Sequence, residues 1–207
     1  MGRNLAIGAV ILAILVFIYF AWDGIAMIGT VAMTARDIYA PPKPAPVVAA
    51  SSAPEIPLSD FALGFMDDLM VMDNGTTRDY DPRQLRKVRF YALYYSASWC
   101  GPCRAFTPNL VGFYNEFKPS HPSFELIFVN EDRSESDMEA YMRDDSMPWP
   151  AVRYSDIDGA GVMKYCGPYI PCLVLVDSQG NVLSDTIRNG QYTDPNNVIS
   201  DIKSMVP

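Results

Sequence analysis

Phe90 to Tyr95 is an uninterrupted run of aromatic and aliphatic residues, the pattern of a strand buried on both faces. Ser96-Ala97-Ser98 breaks that run into a short loop. From Arg104 to Phe117 the apolar positions Phe106, Leu110, Phe113, Tyr114 and Phe117 recur at helical spacing, which predicts a helix with one inward face. Phe124 to Val129 predicts a second strand and Ser134 to Arg143 a second helix. Leu173 to Val176, the Gln179-Gly180-Asn181 turn and Val182 to Ile187 predict an antiparallel hairpin. Asp194 to Met205 predicts a closing helix with Val198, Ile199, Ile202 and Met205 inward. Upstream, Phe65 to Met72 predicts an early strand closed by the Asn74-Gly75 turn, and Pro82 to Lys87 a short helical connection. Strands alternating with helices predict an α/β sandwich around a mixed central sheet. No internal repeat interrupts the pattern.

The amino-terminal part reads differently. Leu5 to Trp22 is an uncharged apolar stretch of 18 residues, long enough at helical rise to cross roughly 27 Å of hydrocarbon. Arg3 before it and the interfacial Tyr19 and Trp22 after it predict a single-pass anchor with its amino end in the cytoplasm. The alternative is a cleaved signal peptide, cut at a small-residue triplet such as Thr30-Val31-Ala32 or Ser51-Ser52-Ala53. Pro41, Pro42, Pro44, Pro46, Pro54 and Pro57 among Ala, Val and Ser cannot build a core and predict an extended spacer. The expected organisation is an anchor or signal over residues 1–36, a Pro/Ala-rich linker over 37–60 and one domain over 61–207. On the anchor reading, that domain lies on the periplasmic or extracytoplasmic side. On the signal reading, it is exported and soluble.

Composition narrows the partners. A net charge of −8 argues against nucleic acid and against a basic lipid-binding patch, and favours a protein partner. Four cysteines in 207 residues are too few for a disulfide-dense scaffold and read as redox chemistry.

Two of them form Cys100-Gly101-Pro102-Cys103, between the predicted strand and helix. A sulfur at a helix amino end meets unpaired N–H groups and the positive end of the helix dipole. Its pKa then falls from roughly 8.5 toward roughly 7, raising the thiolate fraction at neutral pH to about half. Cys100 is therefore the expected nucleophile. Cys103, one turn further on, is the expected resolving thiol. The competing reading of Cys-x-x-Cys is half a zinc site, but the remaining ligands would have to come from Cys166, Cys172 and His121, with no second Cys-x-x-Cys. No metal or organic cofactor is expected.

The segment from Tyr94 to Pro108, with Trp99 before the first cysteine and Arg104 after the second, resembles the active-site segment of thioredoxin-fold proteins. It is most similar to that of the tryparedoxin and nucleoredoxin branch. Met147-Pro148-Trp149, followed by Ala151-Val152, resembles that branch's second motif, and Tyr169-Ile170-Pro171 before Leu173-Val174-Leu175-Val176 resembles its proline loop. The resemblance covers roughly Phe65 to Pro207. It implies a thioredoxin-like three-layer sandwich and a cis Pro171 that faces the cysteines and, with Ile170, presents backbone to an extended substrate. It also implies that Trp99 lines the rim, that Gly101 and Pro102 tune the dithiol, and that Trp149 packs near the same surface.

Two departures from the family pattern stand out. Thioredoxins proper carry a buried aspartate six residues before the first cysteine, where this chain has Tyr94. A proton relay would have to come from elsewhere, with Glu131 and Asp132 as candidates. Glu135, Asp137 and Glu139 follow closely, so a solvated acidic loop is the other reading. Cys166 and Cys172 bracket the proline loop, where the family normally has no cysteine. They are either two buried free thiols or a second disulfide, structural or exchanging with Cys100–Cys103. The function expected is a membrane-tethered reductase of protein disulfides, supplied with electrons by a membrane partner. A disulfide oxidant or isomerase, and a non-catalytic peptide-binding module, are the alternatives.

Overall fold

The structure is a computed structural model that describes Leu58, residues 60–165 and residues 167–207. The apolar stretch Leu5 to Trp22, most of the Pro-rich spacer and Cys166 lie outside these residues. Among the described residues no helix is long and apolar enough to cross a membrane. The anchor therefore rests on the sequence pattern alone.

A short helix α1 (Asp60–Leu63) leads to the hairpin β1 (Leu69–Asp73) and β2 (Thr76–Asp79). The central strand β3 (Phe90–Ser96) runs into helix α2 (Gly101–Phe117), strand β4 (Phe124–Asn130) and helix α3 (Glu135–Asp144). Then come β5 (Ala151–Val152), β6 (Cys172–Asp177), β7 (Val182–Asp185), the small hairpin β8 (Ile187–Arg188) and β9 (Gln191–Tyr192), and α4 (Asn196–Met205). The main sheet has the order β2-β1-β5-β4-β3-β6-β7. Strand β3 lies parallel to β4 and antiparallel to β6, the mixed sheet that the alternating pattern predicts.

The period-two geometry of a strand sorts β3 between two cores. Ala92 and Tyr94 join Phe128, Leu173 and the inner faces of α2, α3 and α4. Tyr91, Leu93 and Tyr95 point the other way, into a layer built from α1, short 3₁₀ turns and residues such as Leu85, Ile157 and Val162. Both faces of the sheet are thus covered, and all five predicted inward residues of α2 are buried.

Three expectations need correction. The strand expected from Phe65 begins only at Leu69, because Met66–Asp68 form a 3₁₀ turn. Met205 faces outward and is 45 % exposed, since α4 ends there and Val206 takes the inner position. Trp149 is fully buried, with its ring edge-on to Tyr94 and Tyr114. It packs in the core between β3 and α2 and takes no part in any exposed surface.

Candidate active site

Sheet register brings three loops together. Parallel pairing of Ser96 with Asn130 places Glu131 and Asp132 beside the loop that follows β3. Antiparallel pairing of Tyr95 with Cys172 places Ile170-Pro171 on that loop's other side. Cys100 and Cys103 sit in the same loop and the first turn of α2, joined by a disulfide of 2.04 Å.

Cys100 is the N-cap of α2, and its Sγ accepts the backbone N–H of Cys103 at 3.2 Å. A sulfur held there meets one of the helix's unpaired donors directly. Pro102 occupies the first turn, where its missing N–H costs nothing. Gly101 has no heavy atom within 4 Å of where a Cβ would stand and keeps an ordinary helical backbone, so the motif's surface remains open at this point. Cys100 is 6 % exposed and Cys103 0 %. Only the first sulfur can meet a substrate, which orders the two steps.

The Ile170–Pro171 peptide is cis, and the Ile170 carbonyl oxygen lies 3.7 Å from Cys100 Sγ. Ile170 packs on the small cluster of Ala97, Cys100 and Cys103. Tyr192, at the end of β9, donates its hydroxyl to the Pro171 carbonyl at 2.8 Å. Trp99, Tyr169 and Tyr192 form an exposed aromatic rim, with Tyr169 and Tyr192 edge-to-face. Beside the motif, a groove of about 530 Å³ runs between α2 and the β9–α4 connection, floored by Phe106 and Pro171.

The two candidate acids have different places. Asp132 is buried, and its Oδ1 accepts both the N–H and the hydroxyl of Ser98, at 2.8 and 2.7 Å. With the Asn130 amide turned to satisfy its neighbours, Asn130 Nδ2 donates to Asp132 Oδ2 at 2.7 Å. Asp132 thereby clamps the loop two residues before the nucleophile. Glu131 contributes its carbonyl, which accepts the Trp99 indole N–H at 3.3 Å. That bond holds the rim tryptophan against the acidic loop.

Beneath the cysteines, the position of the thioredoxin aspartate is filled by hydroxyls. Thr107 Oγ1 donates to the Cys103 carbonyl at 2.9 Å. Because a hydroxyl has one proton, the Tyr94 and Tyr141 hydroxyls, at 2.8 and 2.7 Å, must both donate to Thr107. Ser96 Oγ, 2.9 Å from Tyr141, then donates to it. Burial, reinforced by the neighbouring Tyr141, pushes the Tyr94 phenol far above its ordinary range. Tyr94 therefore stays a neutral phenol at physiological pH. Sequence reading identified Tyr94 but not Thr107, Tyr141 or Ser96. Thr107 was findable, since it lies one turn past Cys103 on the helix, whereas nothing in the sequence joins Tyr141 to it.

Cys172 is a free thiol, fully buried, and burial pushes its pKa up to about 11. Its expected partner Cys166 lies outside the described residues. His121 stacks on Phe117 at the far end of α2 from the cysteines.

Residues 89–182 match the family profile described as Thioredoxin-like. The probable nucleoredoxin 1 of Arabidopsis thaliana is 38 % identical over 122 residues, 57 % of this chain and 20 % of that protein. Human nucleoredoxin is 40 % identical over 94 residues, 44 % of this chain and 21 % of that protein. The chain thus spans about a fifth of the curated relatives it matches. Among solved structures, tryparedoxin I from Leishmania major is 28 % identical with a TM-score of 0.50, over 66 % of this chain and 90 % of that one. A thioredoxin from Wuchereria bancrofti is 31 % identical with a TM-score of 0.51, over 68 % of this chain and 96 % of that one. A likeness at 31 % identity that runs through 96 % of a solved thioredoxin makes this chain a member of the thioredoxin-like family.

Proposed function

We propose that the chain reduces disulfide bonds in proteins. The observation that carries the reading is Cys100 Sγ at the amino end of α2, accepting the Cys103 N–H in a residue that keeps 6 % of its surface exposed where Cys103 keeps none. In the reduced protein, the Cys100 thiolate attacks one sulfur of a substrate disulfide. The substrate S–S bond breaks, one substrate sulfur leaves as a thiol after taking a proton, and a mixed disulfide forms. Cys103 then loses its proton to solvent or to the departing sulfur and attacks Cys100. The second substrate thiol leaves, and the Cys100–Cys103 bond is restored. The substrate gains two electrons and the protein loses two, so each cycle needs a dithiol donor. The Ile170 carbonyl beside Cys100 supports the approach of an extended segment that pairs with the proline loop.

The Gly-Pro dipeptide favours the reducing direction. A dithiol potential near about −270 mV fits it, whereas one near about −120 mV fits an oxidant. The direct test is insulin reduction driven by dithiothreitol. Wild type should accelerate it and Cys100→Ser should not; equal rates would leave the peptide-binding alternative standing.

The location is part of the same reading. The uncharged stretch Leu5 to Trp22 supports a membrane tether with the dithiol outside the cytoplasm, where a membrane partner supplies electrons. Carbonate extraction tests the tether and protease protection tests the side. Release into the supernatant of a chain shortened at its amino end contradicts the tether and leaves the cleaved-signal alternative, and release of the full-length chain contradicts both.

A further inference from the structure

The groove beside the dithiol carries one charged side chain. It begins at Pro102, follows α2 past Phe106 to Asn109, and ends at Asp194 and Asn196 in the β9–α4 connection. Among the described residues that line it, Asp194 alone bears a charge. Its Oδ1 accepts the backbone N–H of Asn196 at 2.9 Å and the Asn196 side-chain amide at 2.8 Å. Asn196 in turn accepts from Asn109 across the groove at 2.6 Å, which sets the carboxylate level with Asn109. Among the described residues no cation is paired with it: the basic residue nearest in sequence, Arg188, is held by Asp201 on α4 at 2.6 Å. The wall is firm as well, because Thr193 bonds to the Thr186 carbonyl through both its N–H and its hydroxyl.

We propose that Asp194 is a specificity determinant: the groove selects protein disulfides flanked by a Lys or Arg side chain, in an extended segment lying along α2. This rests on the reductase reading and names its substrate class. The spacing follows from geometry. Cys100 to Asn109 is nine residues at helical rise, about 13 Å, which an extended peptide spans in about four residues. The cation therefore sits about four positions from the cysteine under attack. Charge complementarity picks this occupant over an acidic or neutral one, and the apolar floor of Phe106 and Pro171 accommodates the methylene stem of Lys or Arg.

The test uses reduced full-length protein and peptides carrying one cysteine in a mixed disulfide with a fluorescent thiol. The residue four positions away, on either side in two series, is Lys, Gln or Glu. Rates of thiol release give a second-order constant at low peptide and a plateau at high peptide. In one series, Lys should exceed Gln by about two- to fivefold in the second-order constant, the range of an exposed ion pair, with equal plateaus. The order should be Lys, Gln, Glu. Asp194→Asn keeps the acceptor for the Asn196 N–H and removes the charge, and should bring the three peptides to equal constants. Raising salt to about 0.5 M with wild type should do the same without any substitution. Equal constants in wild type at low salt overturn the proposal. So does a Lys preference that survives Asp194→Asn, which would belong to the overall charge of −8. Turnover of none of the peptides overturns the reductase reading itself, and the groove's selectivity with it.

Discussion

Replacing Thr107 with Val tests the hydroxyl network under the dithiol. The two side chains have nearly the same shape, so the change removes one buried oxygen and little else. That oxygen accepts from Tyr94 and Tyr141 and donates to the Cys103 carbonyl. After substitution, the Tyr94 proton loses its acceptor at 2.8 Å. The Tyr141 proton loses its own at 2.7 Å. Two buried donors are thus left without the oxygen that holds them, at about 1–3 kcal/mol each. Part of this is offset by the added methyl, so the expected loss is about 3 kcal/mol, a large share of the stability of a single domain. Urea unfolding of the oxidised protein, followed by tryptophan fluorescence, measures it as a lower midpoint at unchanged slope. The same account predicts strong non-additivity. Tyr94→Phe should recover about 1 kcal/mol in the Thr107→Val background, because it deletes an orphan, while destabilising the wild type. A loss below about 0.5 kcal/mol, or simple additivity of the two changes, refutes the proton assignment.

Other expectations follow from the same geometry. Cys103→Ser should accumulate mixed disulfides on Cys100, visible as reducible adducts by mass spectrometry, because the second attack is lost. Asp132→Ala strands the Ser98 N–H and hydroxyl and should cost about 2 kcal/mol in urea unfolding. Asp132→Asn, which keeps one acceptor, should cost less. Cys172 ionises in the unfolded chain near its ordinary value of 9.0 but only at about 11 when folded. The folded state therefore holds the proton longer, and stability is lost as pH rises from 9 toward 11. At pH 10 this amounts to about 1.4 kcal/mol, read as a lower urea midpoint than at pH 8, and Cys172→Ala should remove that share. Leu110→Ala empties a fully buried site on α2 and should cost about 2–5 kcal/mol in the same assay.

What the sequence discloses here is what local pattern controls. The apolar run Phe90 to Tyr95 and the three-and-four spacing after Arg104 predicted β3 and α2 to within a few residues, because both elements bury the faces that the pattern marks. The start of β1 was misplaced because Phe65 is buried without being extended: its backbone turns into the 3₁₀ segment Met66–Asp68. The Asn74-Gly75 turn was read correctly, yet the same signal at Asn189-Gly190, with both residues at positive φ, closes β8 and β9 and was passed over. The dithiol was legible from four adjacent residues. The clamp by Asp132 and the hydroxyls of Thr107 and Tyr141 depend on partners 34 residues apart in each case, and only the sheet register brings those together.

The central claim is that Cys100 is held as a thiolate at the amino end of α2, and the pH dependence of its alkylation tests that claim most directly. Reduced Cys103→Ser protein, treated with iodoacetamide across pH 5 to 10 and analysed at Cys100 by mass spectrometry, should show a midpoint near about 7, well below the roughly 8.5 of an ordinary thiol. A midpoint at or above 8.5 contradicts the account, because the N–H of Cys103 would then give the sulfur no advantage.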